Sequence, residues 1–342
     1  MARKPNARQR LRLLSEKFEP LLQAAFLAAI DDLRSNAQIT RIAERLERGD
    51  IDGALRALNV DAVAFRLFEE GVREAFVGGG IAATAALPIL REPNGARLVA
   101  RFDARSPGAE QFMRELSGRN VQVVEDVLLA ARQHMTQGLI YGRNPRSVAL
   151  DIVGRVDRST GRRTGGILGL TSKQEEYVTT ARQDLLSGDP DRLRHYLTLK
   201  RRDRRRQFEK AVEDAIRDAK PIPLHLIDRM IGKLSDSYLL LRGETITRTE
   251  TIGALNASHR DTFDQLVASG NVQANQVRKI WRATKDNRTR DSHRNLDSES
   301  VGINELFSNG LQYPCDPSGS AREVINCRCA VDYRIEYFTN LA

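Results

Sequence analysis

Apolar residues at steps of three and four run through most of this 342-residue chain, a spacing that lines them along one face of an α-helix. Leu11, Leu14, Phe18, Leu22, Ala25 and Ala29 form the first such stripe. Pro20 falls inside it and predicts a kink or the start of a second helix, because its ring removes a backbone donor. Gly49-Asp50 closes the next segment, and Asp61 to Phe76 reads as another amphipathic helix. Val121, Val124, Leu128, Ala131 and Met135 repeat the step, with Gly142 placed just past the helix end. Asn144-Pro145 opens a helix with Val148, Ile152 and Val156 on one face. Further helices read from Ser172 to Leu186 and from Asp191 to Lys220, the latter stopped by Pro221 and Pro223. Ile227, Ile231, Leu234, Tyr238 and Leu241 form one more stripe, and Ile252, Leu255, Phe263 and Leu266 another. Only 6% of residues are aromatic, which argues against a β-sandwich, and Ala, Leu, Arg and Glu favour helix.

The pattern breaks in a few places. Gly78 to Pro88 reads as a close-packed helix junction, with a mobile docking segment as the sharper alternative. Arg91 to Pro107 carries Pro93 and Asn94-Gly95 and reads as a linker with one short strand at Leu98 to Phe102. Ser159 to Gly169 invites a phosphate-loop reading, but Ile167 and Leu168 stand where Lys and Ser/Thr must be. From Val277 the period changes to two: Val277, Lys279, Trp281 and Ala283 alternate like a strand. Asn309-Gly310, Tyr313-Pro314 and Pro317-Ser318-Gly319 are turn signals. Glu323 to Ile335 alternates again, with Val324, Asn326 and Arg328 on one face and Ile325, Cys327, Cys329 and Val331 on the other. The expected fold is therefore mainly α, helical over 1–105 and over a central basic region at 106–220, with a small α+β unit at 221–342. Trp281, the sole Trp, is expected to be buried in that unit.

The net charge of +9 is uneven: +3 over 1–105, +6 over 106–220 and zero over 221–342. Much of the excess lies in Lys200, Arg201, Arg202, Arg204, Arg205 and Arg206, a run that suits phosphate backbone or an acidic partner. The blander reading is a solvated helix face paired with Asp203, Glu209, Glu213 and Asp214, and no aromatics interleave the run for base stacking. No stretch is long and apolar enough to span a membrane; Phe76 to Leu90 is too short and is broken by Gly78, Gly79, Gly80 and Pro88. No apolar segment and cleavage site follow the basic start, so a soluble chain made in a cytoplasm is expected.

All three cysteines, Cys315, Cys327 and Cys329, lie in the last 30 residues. On a strand, residues two apart share a face, so Cys327 and Cys329 would present paired sulfurs. Those suit half of a tetrahedral zinc site, completed by His293 and by Cys315 or Asp316. The alternative is inert buried thiols, with His293 hydrogen-bonded to Asp286 or Asp316 and no cofactor at all. Arg248 and Glu250 on the last long helix read as charged locks between helix and sheet.

Taken in order, these pieces resemble the phage Mu F-like minor head, or head morphogenesis, proteins. The resemblance rests on Arg248-Thr249-Glu250 with Asn256, and on Lys279-Ile280-Trp281 leading into Asp286. It continues through Arg288-Thr289-Arg290 with His293, Phe307 to Leu311, Tyr313-Pro314 with Asp316, and Val324-Ile325-Asn326-Cys327-Arg328-Cys329. The match is strongest over 245–335 and makes 221–342 a Mu F-like domain; a weaker likeness reaches back to about residue 100. One departure is Cys315, which stands where the family usually has Gly. The resemblance implies a minor capsid protein of a tailed double-stranded DNA phage, in low copy inside the virion at the portal vertex and in host cytoplasm during assembly. It implies portal, capsid or scaffold proteins as partners, non-specific contact with double-stranded DNA, a role in capsid assembly and in DNA packaging or ejection, and no enzymatic activity. The portal contact is expected from the helical part. Two rivals remain: a metal-dependent hydrolase or nuclease using His293, Asp286, Asp316 and the cysteines, and a sequence-independent DNA-binding protein acting through 200–206.

Overall fold

The computed structural model describes residues 5–88, 90–91, 97–158 and 160–336. Pro93, Asn94-Gly95 and Ser159 of the expected loops lie outside them. The protein is mainly α. In chain order its helices are α1 (Ala7–Asn36), α2 (Ile39–Glu47), α3 (Ile51–Ala57), α4 (Arg66–Ala86), α5 (Pro107–Ile140), α6 (Pro145–Val153), α7 (Ser172–Ser187), α8 (Pro190–Thr198), α9 (Arg206–Asp218), α10 (Leu224–Ala268), α11 (Asp291–Asn295) and α12 (Ala321–Val324). The strands are β1 (Leu90–Arg91), β2 (Arg97–Leu98), β3 (Arg155–Val156), β4 (Arg163–Thr164), β5 (Val277–Arg282), β6 (Ser300–Gly302) and β7 (Ala330–Ile335).

Residues Met1–Phe26, Leu67–Gly118 and Glu244–Ala342 form one compact unit, and Leu27–Arg66 with Arg119–Gly243 form a second. This grouping differs from the three consecutive segments 1–105, 106–220 and 221–342, because the start of α1 packs beside residues 283 and 297. Arg8 donates through Nε to the Ala283 carbonyl at 2.8 Å and pairs with Asp297.

In the first unit, Leu11, Phe18, Leu22 and Phe26 are buried along α1. The helix runs on through Pro20, with buried Phe18 and Leu22 anchoring the turns on either side. Phe26 meets Phe68 edge to face at 6.0 Å, and Phe76 stacks on Phe112 at 5.0 Å. The glycines at 78–80 do not interrupt α4. A Cβ on Gly79 would fall 2.3 Å from Ser258 Oγ and one on Gly80 would fall 2.4 Å from the Phe102 ring, so this stretch is the close-packed junction and not a free segment. The strand expected at 98–102 is confined to β2, which pairs with β1.

The unit's sheet has the order β6-β5-β7 and is antiparallel throughout. β5 is its central strand, as the alternation from Val277 predicts. Trp281 is fully buried there, paired across from Val331 and edge-on to Phe307 at 5.1 Å. Of the strand expected over Glu323 to Ile335, only Ala330–Ile335 forms. Residues 321–324 form a helical turn, and Ile325 is 40% exposed rather than facing inward with Cys327. Asn326, at φ +58, reverses the chain between the helical turn and the strand.

In the second unit, Ile42, Leu46, Met135, Ile152, Val178, Leu193, Phe208, Val212 and Leu234 make the core. Asn144 caps α6 by accepting from Ser147 N at 3.2 Å, and Thr171 and Gln174 close a reciprocal capping box on α7. Asp151, buried, accepts from Arg155 at 2.8 Å and Arg182 at 3.1 Å and also pairs with Arg143. Burial opposes its charge, but Arg182, His134 and Arg143 together hold its carboxyl below the usual range. His134 Nδ1 lies 2.8 Å from Glu175 in the same network. These groups are mutually paired and lock α5, α6 and α7 together.

Candidate functional site

The groups that sequence reasoning singled out converge at one end of the sheet in the first unit. α11 delivers His293, and the extended run between α12 and β7 delivers Cys327 and Cys329; all three are buried. Arg328, between the cysteines, points the other way and clamps Asp286 with two hydrogen bonds of 2.6 and 2.9 Å. That clamp turns both sulfurs inward, which is the period-two placement expected of a strand although no strand is formed there. Arg328 holds the Asp286 carboxyl well below the usual carboxylate range, with Thr289 and the Arg288 amide adding hydrogen bonds.

The three donor atoms, His293 Nδ1 and the two Sγ, lie within 4.8 Å of one another. Nδ1 is 3.4 Å from Cys327 Sγ and 3.6 Å from Cys329 Sγ. On the far side of the ring, Nε2 lies 2.9 Å from Glu323 Oε2. Trp281 packs edge-on to the imidazole with ring centres 5.2 Å apart. Cys315 directs its sulfur at the carbonyls of Val324, at 3.4 Å, and Cys327, at 3.6 Å. Its hydrogen bond with Cys327 and the burial of the pair push the Cys327 thiol up, and the Cys327 thiol and burial do the same to Cys329. Cys315 sits at φ +64, a left-handed backbone where glycine is at ease, which gives a physical reason for the glycine usual at this place.

Asp316 does not join the cluster. Its carboxylate accepts from Gln312 N at 2.8 Å and from Ser318 N and Oγ at 2.9 and 2.7 Å, so it caps the Tyr313-Pro314 turn. His293 bonds neither Asp286 nor Asp316; its partner is Glu323, which sequence reasoning missed. Of the groups of the hydrolase reading, His293 meets Cys327 and Cys329, whereas Asp286 and Asp316 are held by separate partners outside that cluster.

Asn256, buried on α10, ties these parts together. Its Nδ2 donates to the Pro314 and Cys329 carbonyls, both at 3.2 Å, and its Oδ1 accepts from Val331 N at 3.1 Å. Arg248 reaches Asn326 Oδ1 at 3.4 Å and lies 3.6 Å from Glu19. Thr249 accepts from Asn326 N at 3.0 Å, and Arg290 donates to the Ile325 carbonyl. Pro314 is buried, Tyr313 and Glu250 are half-buried, and Arg288 is exposed. Apart from Arg288, whose exposed side chain has no place in the packing, the motif residues surround the cysteine turn or line the helix that faces it.

The basic run is not a helix face. α8 ends at Thr198 and α9 begins at Arg206, so 200–205 is a loop. Arg202 pairs with Glu209 at 2.9 Å, Arg205 with Asp203 at 3.0 Å and Arg206 with Glu213 at 3.3 Å. Lys200, Arg201 and Arg204 are exposed.

Residues 199–332 match the family described as Phage Mu protein F like protein. The uncharacterized protein YqbB of Bacillus subtilis (strain 168) is 31% identical over 97 residues, covering 26% of this chain and 30% of that protein. The similarity thus spans less than a third of that relative's length. No solved structure matches the chain. No helix among the described residues is long and apolar enough to cross a membrane. The matched span takes in the cysteine turn, His293, α10, β5, β6 and the first residues of β7: residues 199–332 are a Mu F-like segment.

Proposed function

We propose that this chain is a minor head protein of a tailed double-stranded DNA phage or prophage. In this reading it sits inside the capsid at the portal vertex and acts in capsid assembly and in DNA packaging or ejection. The observation that carries the reading is the Mu F-like match over 199–332, which covers the motif residues gathered around the cysteine turn. Supporting it, the two carboxylates of the hydrolase reading are tied to partners outside the cysteine cluster, Asp286 to Arg328 and Asp316 to Ser318. The protein's role is to hold surfaces together. Its partners are the portal protein and neighbouring capsid or scaffold proteins.

Co-expression of the full chain with the portal protein of the same phage tests the reading. A complex that survives size exclusion at physiological salt is the expected outcome, and separate elution of the two proteins would contradict it. Truncation at residue 245 is a poor substitute, because Glu244–Ala342 shares its unit with α1 and α4.

A further inference from the structure

We infer that His293, Cys327 and Cys329 form a binding site for a zinc-like, borderline-soft divalent cation that ties α11 to the turn before β7. Glu323 Oε2 lies 2.9 Å from His293 Nε2, so that nitrogen carries the ring proton and Nδ1 is left with one lone pair. Two sulfurs nevertheless converge on that single lone pair, at 3.4 and 3.6 Å. One S–H can donate to it, which leaves the second to its neighbouring sulfur, a weak acceptor. A cation between the three atoms satisfies all of them at once.

The separations have the size that such a cation requires. A tetrahedral zinc with bonds of about 2.3 Å to sulfur and about 2.0 Å to nitrogen sets those donors about 3.5 Å apart. The carboxylate behind the ring is the usual support of a metal-bound histidine, fixing the tautomer and raising the basicity of the ligating nitrogen. The surroundings also hold the donors still. Trp281 packs on the imidazole, Asn256 binds the Cys329 carbonyl, and the Arg328–Asp286 clamp fixes the residue between the sulfurs. Cys315 is outside the set, since its sulfur is committed to the Val324 and Cys327 carbonyls. Three protein ligands leave one tetrahedral position to an exogenous donor such as water. On binding, each thiol gives up its proton to solvent and becomes a thiolate, as a coordinating cation demands.

The test uses the full-length, untagged chain, reduced and treated with excess Zn2+ before desalting. Elemental analysis is expected to find one zinc per chain, and Cys327→Ser/Cys329→Ser to hold none. Cys315→Gly, which suits the left-handed backbone there, is expected to keep the full zinc content. Cobalt in place of zinc supplies a readout on the unaltered protein. It should give a thiolate-to-cobalt charge-transfer band and quench the fluorescence of the sole tryptophan, Trp281, beside His293. Glu323→Gln should weaken zinc by roughly 10- to 100-fold in competition with a chromophoric chelator, as loss of such a supporting carboxylate does elsewhere. Absence of zinc from the reconstituted wild type, of a charge-transfer band with cobalt, or of any change in the double serine variant would overturn the site. Loss of zinc from Cys315→Gly would overturn the ligand set.

Discussion

Asp286 shows how much of this protein's organisation rests on single side chains. It accepts two bonds from Arg328, another from Thr289 and one from the Arg288 amide, and its carboxyl is held well below the usual range. A depressed carboxylate contributes stability above the unfolded value, and that contribution is lost as pH falls through the folded value. Asp286→Asn should therefore cost about 1 kcal/mol at neutral pH, in keeping with a half-exposed bidentate pair, and flatten acid unfolding below pH of about 4. Urea melts of both proteins at neutral and acidic pH check this, and an unchanged acid limb would contradict it. Lys279 gives a slope of the same sign at the alkaline end, as a penalty on a buried charge instead of a gain from a paired one. Burial, together with the charge of Arg260, pushes its ammonium from 10.5 down to about 8, while Gln312 accepts two hydrogen bonds from it. Between those values the unfolded chain binds more protons, so stability should rise with pH across the window, and the rise should vanish in Lys279→Met. Equal slopes in the two proteins would refute the assignment. At this scale the sequence was informative where chemistry is rare. One Trp and a Cys-x-Cys pair with one His mark a buried core and a cluster by themselves. Glu323 was illegible because an acidic residue in a polar turn looks like any other until the imidazole is placed against it.

Among the elements, periodicity located the long helices and β5, and failed where packing overrides local preference. Pro20 does not divide α1, because buried apolar residues flank it on both sides. The alternation at 323–329 is an accident of an extended turn steered by Asn326 at φ +58, so strand pairing starts later, at Ala330. The glycine-rich stretch before α7 is a packing device. A Cβ on Gly166 would meet Gly154 N and the Ile152 carbonyl oxygen, each at 2.5 Å, whereas one on Gly161 would meet nothing within 4 Å. Gly166→Ala should cost roughly 3 kcal/mol or more and Gly161→Ala about 1 kcal/mol or less, the latter from its positive φ alone. Denaturant midpoints for the two variants check the contrast; similar losses would contradict it. The 200–206 loop carries a second expectation. With Arg202, Arg205 and Arg206 paired internally, at most three cations remain for phosphates. Binding to duplex DNA should then vary with log salt at a slope no steeper than about −3, and neutral residues at 200, 201 and 204 should flatten it. A steep slope that survives those changes would move the DNA contact elsewhere.

At the scale of the whole molecule, the chain does not fold in the order in which it reads. α1 contributes to a unit whose other parts lie in α4 and beyond residue 244, and this long-range partnership leaves no periodic trace in the sequence. Composition and stripes pointed to a mainly helical protein with a late α+β part, and the ordered motif from Arg248 to Cys329 lies within the span that matches the Mu F-like family. They did not show that the motif residues converge on one cysteine turn, because Asn256 and Arg290 act there through backbone carbonyls, and Arg248 through the Asn326 side chain, all far away in sequence. The proposed function requires that the protein be present in the particle. Quantitative mass spectrometry of purified, nuclease-treated virions, set against the portal protein in the same sample, measures this directly. The chain is expected in every preparation at a low, fixed ratio to portal; virions that contain portal but none of this chain would contradict the proposed role.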